Sequence, residues 1–98
     1  MPELYQLIQL ITIADCGTMS AAAQQLHLSQ PALSRSMQKL EEILQVTLFE
    51  RQKNKITLNK NGELAVLQAR RVVQQARDLV DQVRAYDRSQ RTISFGSC

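Results

Sequence analysis

Five side chains between positions 30 and 39 could make directional hydrogen bonds from one side of a helix. Gln30, Ser34, Arg35, Gln38 and Lys39 offer amide, hydroxyl, guanidinium and ammonium groups, and no carboxylate interrupts them until Glu41 and Glu42. Leu33, Met37, Leu40 and Leu44 follow 4, 3, 4 spacing and so share the opposite face. A short helix held by one face and presenting such groups on the other suits the major groove of duplex DNA. The chemistry this pattern offers is recognition. Reaction chemistry is poorly supplied: there is no nucleophile with an adjacent base, no phosphate-cradling glycine loop and no metal-ligand cluster around the single histidine, His27. The sequence therefore predicts no enzyme, and no cofactor or metal in this stretch of chain.

The elements that must position this helix can be read on either side of it. Residues 3–15 begin as an amphipathic helix with Leu4, Leu7, Ile8 and Ile11 as its stripe and Leu10 and Ile13 broadening it. Gly17 is its expected stop. Ser20 reads as the N-cap of a short helix through Gln25 or Leu26, in which Ala21, Ala22 and Ala23 would let a neighbouring helix approach closely. Ser29 caps the presenting helix, and Pro31 falls in its first turn, where a missing N–H costs little. The helix should end near Leu44. Residues 46–51 and 55–58 then have the β-branched and apolar content of two short strands, with Gln52, Lys53 and Asn54 as a polar tip. Asn59 caps a last helix running to about Asp87.

That last helix carries a second pattern. Ala65, Ala69, Val72, Ala76, Leu79, Val83 and Tyr86 alternate 4 and 3 spacing for three heptads, with Val66, Val73 and Val80 beside them. A seam so long exceeds what a domain of about 60 residues can cover, so it calls for a partner helix, most simply from a second copy of the chain. After Arg88 the pattern breaks. Residues 89–92 read as a hinge, and residues 93–95 as the opening of a strand belonging to a further domain. The expected organisation is 1–59, 60–88 and 89–98.

Charge agrees with a polyanionic partner. The 98 residues carry a net charge of +3, and residues 1–29 contain Glu3 and Asp15 but no lysine or arginine. The basic excess begins with the presenting helix, in Arg35, Lys39, Arg51, Lys53, Lys55 and Lys60. Two cysteines, Cys16 and Cys98, suggest no disulfide framework, and Cys16 reads as a small buried hydrophobe. No apolar run approaches membrane-spanning length and no secretory leader is evident, so a cytoplasmic location without membrane attachment is expected.

The segment GTMSAAAQQLHLSQPALSRSMQKLEEILQVTLFERQKNKITLNKNGE resembles the N-terminal DNA-binding region of LysR-type transcriptional regulators. The alanine run followed by Leu26, then SQPALSR, LEE, LFER and TLNKNGE, carry the resemblance. It implies a mainly α fold, a winged helix-turn-helix with a small β-hairpin wing and a long C-terminal dimerisation helix. It also implies a bacterial transcription regulator that binds double-stranded DNA as a homodimer, with a small-molecule effector held by a C-terminal domain outside this sequence. Four positions depart from the usual pattern: Met19 replaces an aromatic residue, Gln45 a helix-ending glycine, Thr47 a proline and Asn59 a threonine.

Roles within this frame follow from side-chain chemistry. Gln30 can donate and accept together at an adenine edge. Pro31 either touches a thymine methyl or simply starts the helix. Ser34 lies one turn on with Arg35, which could take a guanine edge bidentately or neutralise a phosphate. Gln38 and Lys39 are placed for phosphate. Ser20 and Ser29 are primarily caps, and a capped helix start also favours an anion. Lys53 could enter a minor groove or meet its phosphate rim, while Arg51 meets backbone or pairs with a carboxylate. Thr18 approaches phosphate or is a turn residue. Glu41 and Glu42 read as solvated acids or partners for basic neighbours. The expected operator is an imperfect inverted repeat.

Overall fold

The computed structural model describes the backbone of residues 1–52 and 55–96, and the side chains of that set as far as residue 90. Four helices and one hairpin follow in the order α1 (Leu4–Cys16), α2 (Met19–Gln25), α3 (Gln30–Leu44), β1 (Phe49–Gln52), β2 (Lys55–Leu58) and α4 (Lys60–Gly96). The strands pair antiparallel, with Phe49 opposite Leu58, Arg51 opposite Ile56 and Gln52 opposite Lys55. Gln52 is thus a ladder residue rather than part of the tip. Lys53 and Asn54 lie outside the described residues.

Helix α1 buries a different stripe from the one its spacing suggested. Leu10 and Ile13 are its core residues, joined by Gln6 and Thr12, while Leu4 and Ile8 are exposed. The helix is apolar on nearly every side, so periodicity alone could not choose between overlapping stripes. The two buried polar residues are satisfied locally: Gln6 Oε1 accepts the Glu3 N–H at 2.8 Å, and Thr12 Oγ1 donates to the Ile8 carbonyl at 2.8 Å. Gly17 ends the helix in the left-handed region at φ 84°, which glycine adopts without a Cβ penalty.

The core is small and shared by every helix. Leu10, Ala22, Leu33, Leu40 and Leu48 are fully buried, with Ile13, Met19, Ala23, Met37 and Val66 around them and Phe49, Ile56 and Leu58 closing the hairpin side. Met19 packs into this core as an aromatic residue would. Cys16 is only half-buried, contrary to expectation, and its Sγ donates to Gln25 Oε1 at 3.3 Å.

Helix α4 begins where expected, with the Gly62 N–H donating to Asn59 Oδ1 at 2.8 Å. Its first half belongs to the same core: Val66, Ala69 and Val73 are buried along α1. The end departs from the reading of a hinge at 89–92 and a strand at 93–95, because the helix continues through Gly96. Extending an existing helix fixes one residue per added hydrogen bond, and no proline or glycine intervenes between Gly62 and Gly96. At 37 residues, α4 is roughly 55 Å long by the usual rise per residue.

Candidate nucleic-acid interface

Local sequence sets the pose of α3. Thr18, not Ser20, caps α2: its Oγ1 accepts the Ala21 N–H at 3.1 Å, and Ser20 is already the second helical residue. Both residues are competent caps, and the αL glycine before Thr18 moves the helix start two residues earlier than the alanine run suggested. Ala22 and Ala23 are buried, so small side chains bring α2 against its neighbours. The chain then reverses through His27, held at φ 58°, with Leu28 N–H donating to the Ala23 carbonyl at 2.9 Å. Ser29 caps α3 as expected, its Oγ accepting the Ala32 N–H at 3.2 Å, with Pro31 in the first turn.

With Leu33, Met37 and Leu40 buried, the opposite side of α3 is open to solvent. Gln30, Pro31, Arg35, Gln38 and Lys39 are exposed and Ser34 is half-buried. Their polar atoms are therefore available at the surface of a helix whose own anchoring is apolar. A hydrogen bond between Ser36 and Gln9 ties this helix to α1.

Two recesses flank α3. One, of about 350 Å³, brings Thr18 and Ser20 of α2 and Gln30 of α3 together with Lys55 and Thr57 of β2. The other, of about 180 Å³, places Ser34 and Gln38 beside Arg51 of β1. The hairpin register explains the second: Arg51 lies two pairs nearer the tip than Phe49, so the two share the inward face, and Arg51 lines the recess beside α3. One recess thus gathers Thr18, Ser20 and Gln30, and the other Ser34, Gln38 and Arg51, while Ser29, Arg35 and Lys39 line neither and are exposed at the cap and along α3. Lys55 and Thr57 were missed in the sequence. Their alternation along β2 was the available signal, since residues two apart in a strand share a face.

Glu41 is also not where the sequence placed it. It is half-buried, and its Oε2 accepts the Leu48 N–H at 2.7 Å. The expected first strand consequently starts at Phe49 instead of residue 46. Leu48 gives its N–H to Glu41 and its carbonyl to the Asn59 N–H at 2.9 Å. The carbonyl bond continues the hairpin register, but the N–H that would complete the next pair is held by Glu41, so the ladder stops at Phe49.

The heptad row on α4 divides. Ala69 is buried in its own chain at 2% exposure, and Ala65 and Ala76 are half-buried. Val72, Leu79, Val83 and Tyr86 are 48%, 64%, 57% and 67% exposed. A 3.5-residue repeat drifts about 20° per heptad on a straight helix, so the row starts near the α1 contact and rotates away from it. Beside it, Arg70 and Asp15 form an ion pair at 2.5 Å between α4 and α1, and this hydrogen bond holds the guanidinium pKa above its ordinary value.

Residues 4–63 match the family described as bacterial regulatory helix-turn-helix proteins, lysR family. The chain belongs to this family. It is 42% identical over 83 residues to the HTH-type transcriptional regulator TcbR of Pseudomonas sp., a match covering 85% of this chain and 28% of that regulator. Among solved structures, a complex of the CbnR DNA-binding domain with DNA superposes with a TM-score of 0.80 at 42% identity, covering 85% of this chain and 95% of that one. A complex of the BenM DNA-binding domain with benA site 1 DNA gives 0.79 at 26% identity, covering 85% and 93%. The fold is accordingly that of the winged-helix DNA-binding domains, as the resemblance implied. The chain spans under a third of the length of the curated LysR-family regulators it matches. Among the described residues no helix is long and apolar enough to cross a membrane, and no group of three histidine, cysteine or acidic residues could hold a metal ion.

Proposed function

We propose that this chain is the sequence-specific DNA-binding part of a LysR-family transcription regulator, working as a homodimer on an imperfect inverted repeat. The observation that carries this reading is the exposed, acid-free row of Gln30, Pro31, Arg35, Gln38 and Lys39 on a helix whose other face is buried. Gln30 and Arg35 read base edges, with Ser34 beside them. Thr18, Ser20, Ser29, Gln38, Lys39, Arg51 and Lys55 meet phosphates and fix the register. Lys53 would extend the wing contact, though it lies outside the described residues. The neighbouring folds solved as DNA complexes, CbnR and BenM, support the same partner class.

Two copies pair through the exposed part of the α4 row: Val72, Leu79, Val83 and Tyr86, bordered by Ala65 and Ala76. Pairing places two α3 helices in successive major grooves on one duplex face. In this reading residues 1–59 form the DNA-binding unit, α4 the pairing element, and a domain beyond residue 98 senses the small-molecule effector. The protein works in the cytoplasm and catalyses nothing.

Selection of preferred duplexes from a random pool, followed by affinity measurements across a salt series, tests the proposal. An inverted repeat should emerge, and affinity should fall steeply with salt as counterions are displaced from phosphates. Salt-independent binding, or none, would overturn it.

A further inference from the structure

Two clasps meet at Thr47 and Leu48, between α3 and the wing. From α3, the Glu41 carboxylate accepts the Leu48 N–H at 2.7 Å. From the start of α4, the Asn59 N–H donates to the Leu48 carbonyl at 2.9 Å. Asn59 Nδ2 and Asn61 Nδ2 donate to the Thr47 carbonyl at 3.0 and 3.3 Å. The Leu48 side chain between them is fully buried. One dipeptide is therefore gripped by a side chain of the reading helix on one side and by the first residues of the pairing helix on the other.

We propose that Glu41 is a positioning residue that fixes the angle between α3 and α4 and thereby sets the half-site spacing the dimer accepts. This rests on the reading that two copies pair through α4 and insert α3 into DNA. An acid placed only for solubility would be solvated, as Glu42 is by its exposure, whereas Glu41 is half-buried against a backbone amide. A hydrogen bond to a carboxylate is shorter and stronger than one between neutral groups, so it makes a stiff strut. The Ser36–Gln9 bond secures α3 further toward its start. The Glu41 clasp secures its last turns, where leverage on the helix direction is greatest.

The experiment uses the full chain and a duplex series in which two selected half-sites are moved apart one base pair at a time. Wild type should prefer one spacing, exceeding an isolated half-site by about a hundredfold, the scale of geometry-dependent avidity. Glu41→Gln keeps an acceptor oxygen at the same reach and should keep the profile. Glu41→Ala should bind an isolated half-site within about threefold of wild type, while its preference across spacings flattens by roughly tenfold. Asn59→Asp retains the α4 cap but loses the donor to Thr47, and should flatten the profile in the same direction. It carries the test should Glu41→Ala fail to fold, which circular dichroism would reveal. Wild-type spacing profiles in the folded variants would overturn the proposal while leaving the DNA-binding reading intact. A wild-type protein with no half-site affinity would overturn both.

Discussion

The Leu48 carbonyl oxygen lies so close to Gly62 that a Cβ built there would stand 2.2 Å from it, with Leu58 Cδ2 at 2.7 Å. The third residue of α4 thus seats directly on the chain leading to the wing. Gly62→Ala should displace backbone, not a flexible side-chain end, and overpacking of this kind costs roughly 1–3 kcal/mol. Urea denaturation should show a lower midpoint at unchanged slope. An unchanged midpoint would mean that α4 and Leu48 are not in this contact.

Gln45 ends α3 at φ 60°, a left-handed conformation that side chains other than glycine adopt at a cost of about 1–2 kcal/mol. Gln45→Gly removes that cost but frees the unfolded chain, so a net gain of about 0.5–1 kcal/mol is expected. Thermal unfolding would register it as a higher Tm. A lower Tm would show that the exposed Gln45 side chain contributes more than its backbone conformation costs.

Arg35 and Lys39 differ in what their removal should do. Arg35→Ala, if it takes a guanine edge, should relax preference at one base position by about 1–3 kcal/mol. Lys39→Ala should weaken binding evenly over all sequences and reduce the slope of log affinity against log salt by about 0.9. Affinities for single-base operator variants at four salt concentrations separate the two. Equal, sequence-independent losses would reduce Arg35 to a phosphate contact.

The presenting helix was the most legible element because every local signal agreed: Ser29 as cap, Pro31 in the first turn and the 4, 3, 4 apolar row all point to Gln30–Leu44. Helix α1 was less legible since it is apolar on too many sides for spacing to select the core stripe. Thr18 and Ser20 are equivalent as caps in composition, and only the glycine turn before them decides. The wing was misread at its start because Leu48 looks like a strand residue. Its N–H is taken by Glu41, seven positions away, which no local pattern records. The recesses likewise join Gln30 to Lys55 and Ser34 to Arg51 through tertiary packing alone.

The division of the α4 row makes its two halves separable by mutation. Ala69 is buried against its own domain, whereas Leu79 and Val83 are largely exposed in the protomer. Ala69→Asp places a carboxylate in a close-packed core without a partner, and should unfold the domain or cost several kcal/mol. Leu79→Asp and Val83→Lys alter surface positions that make no core contact. Both should leave the helical signal intact and shift the protein from dimer to monomer in sedimentation equilibrium. Such monomers should retain the weak affinity of one α3 for a single half-site while losing the hundredfold-scale advantage of a paired site. A dimer that survives both substitutions would move the pairing surface off this row, to the exposed apolar residues of α1 or the first turns of α4.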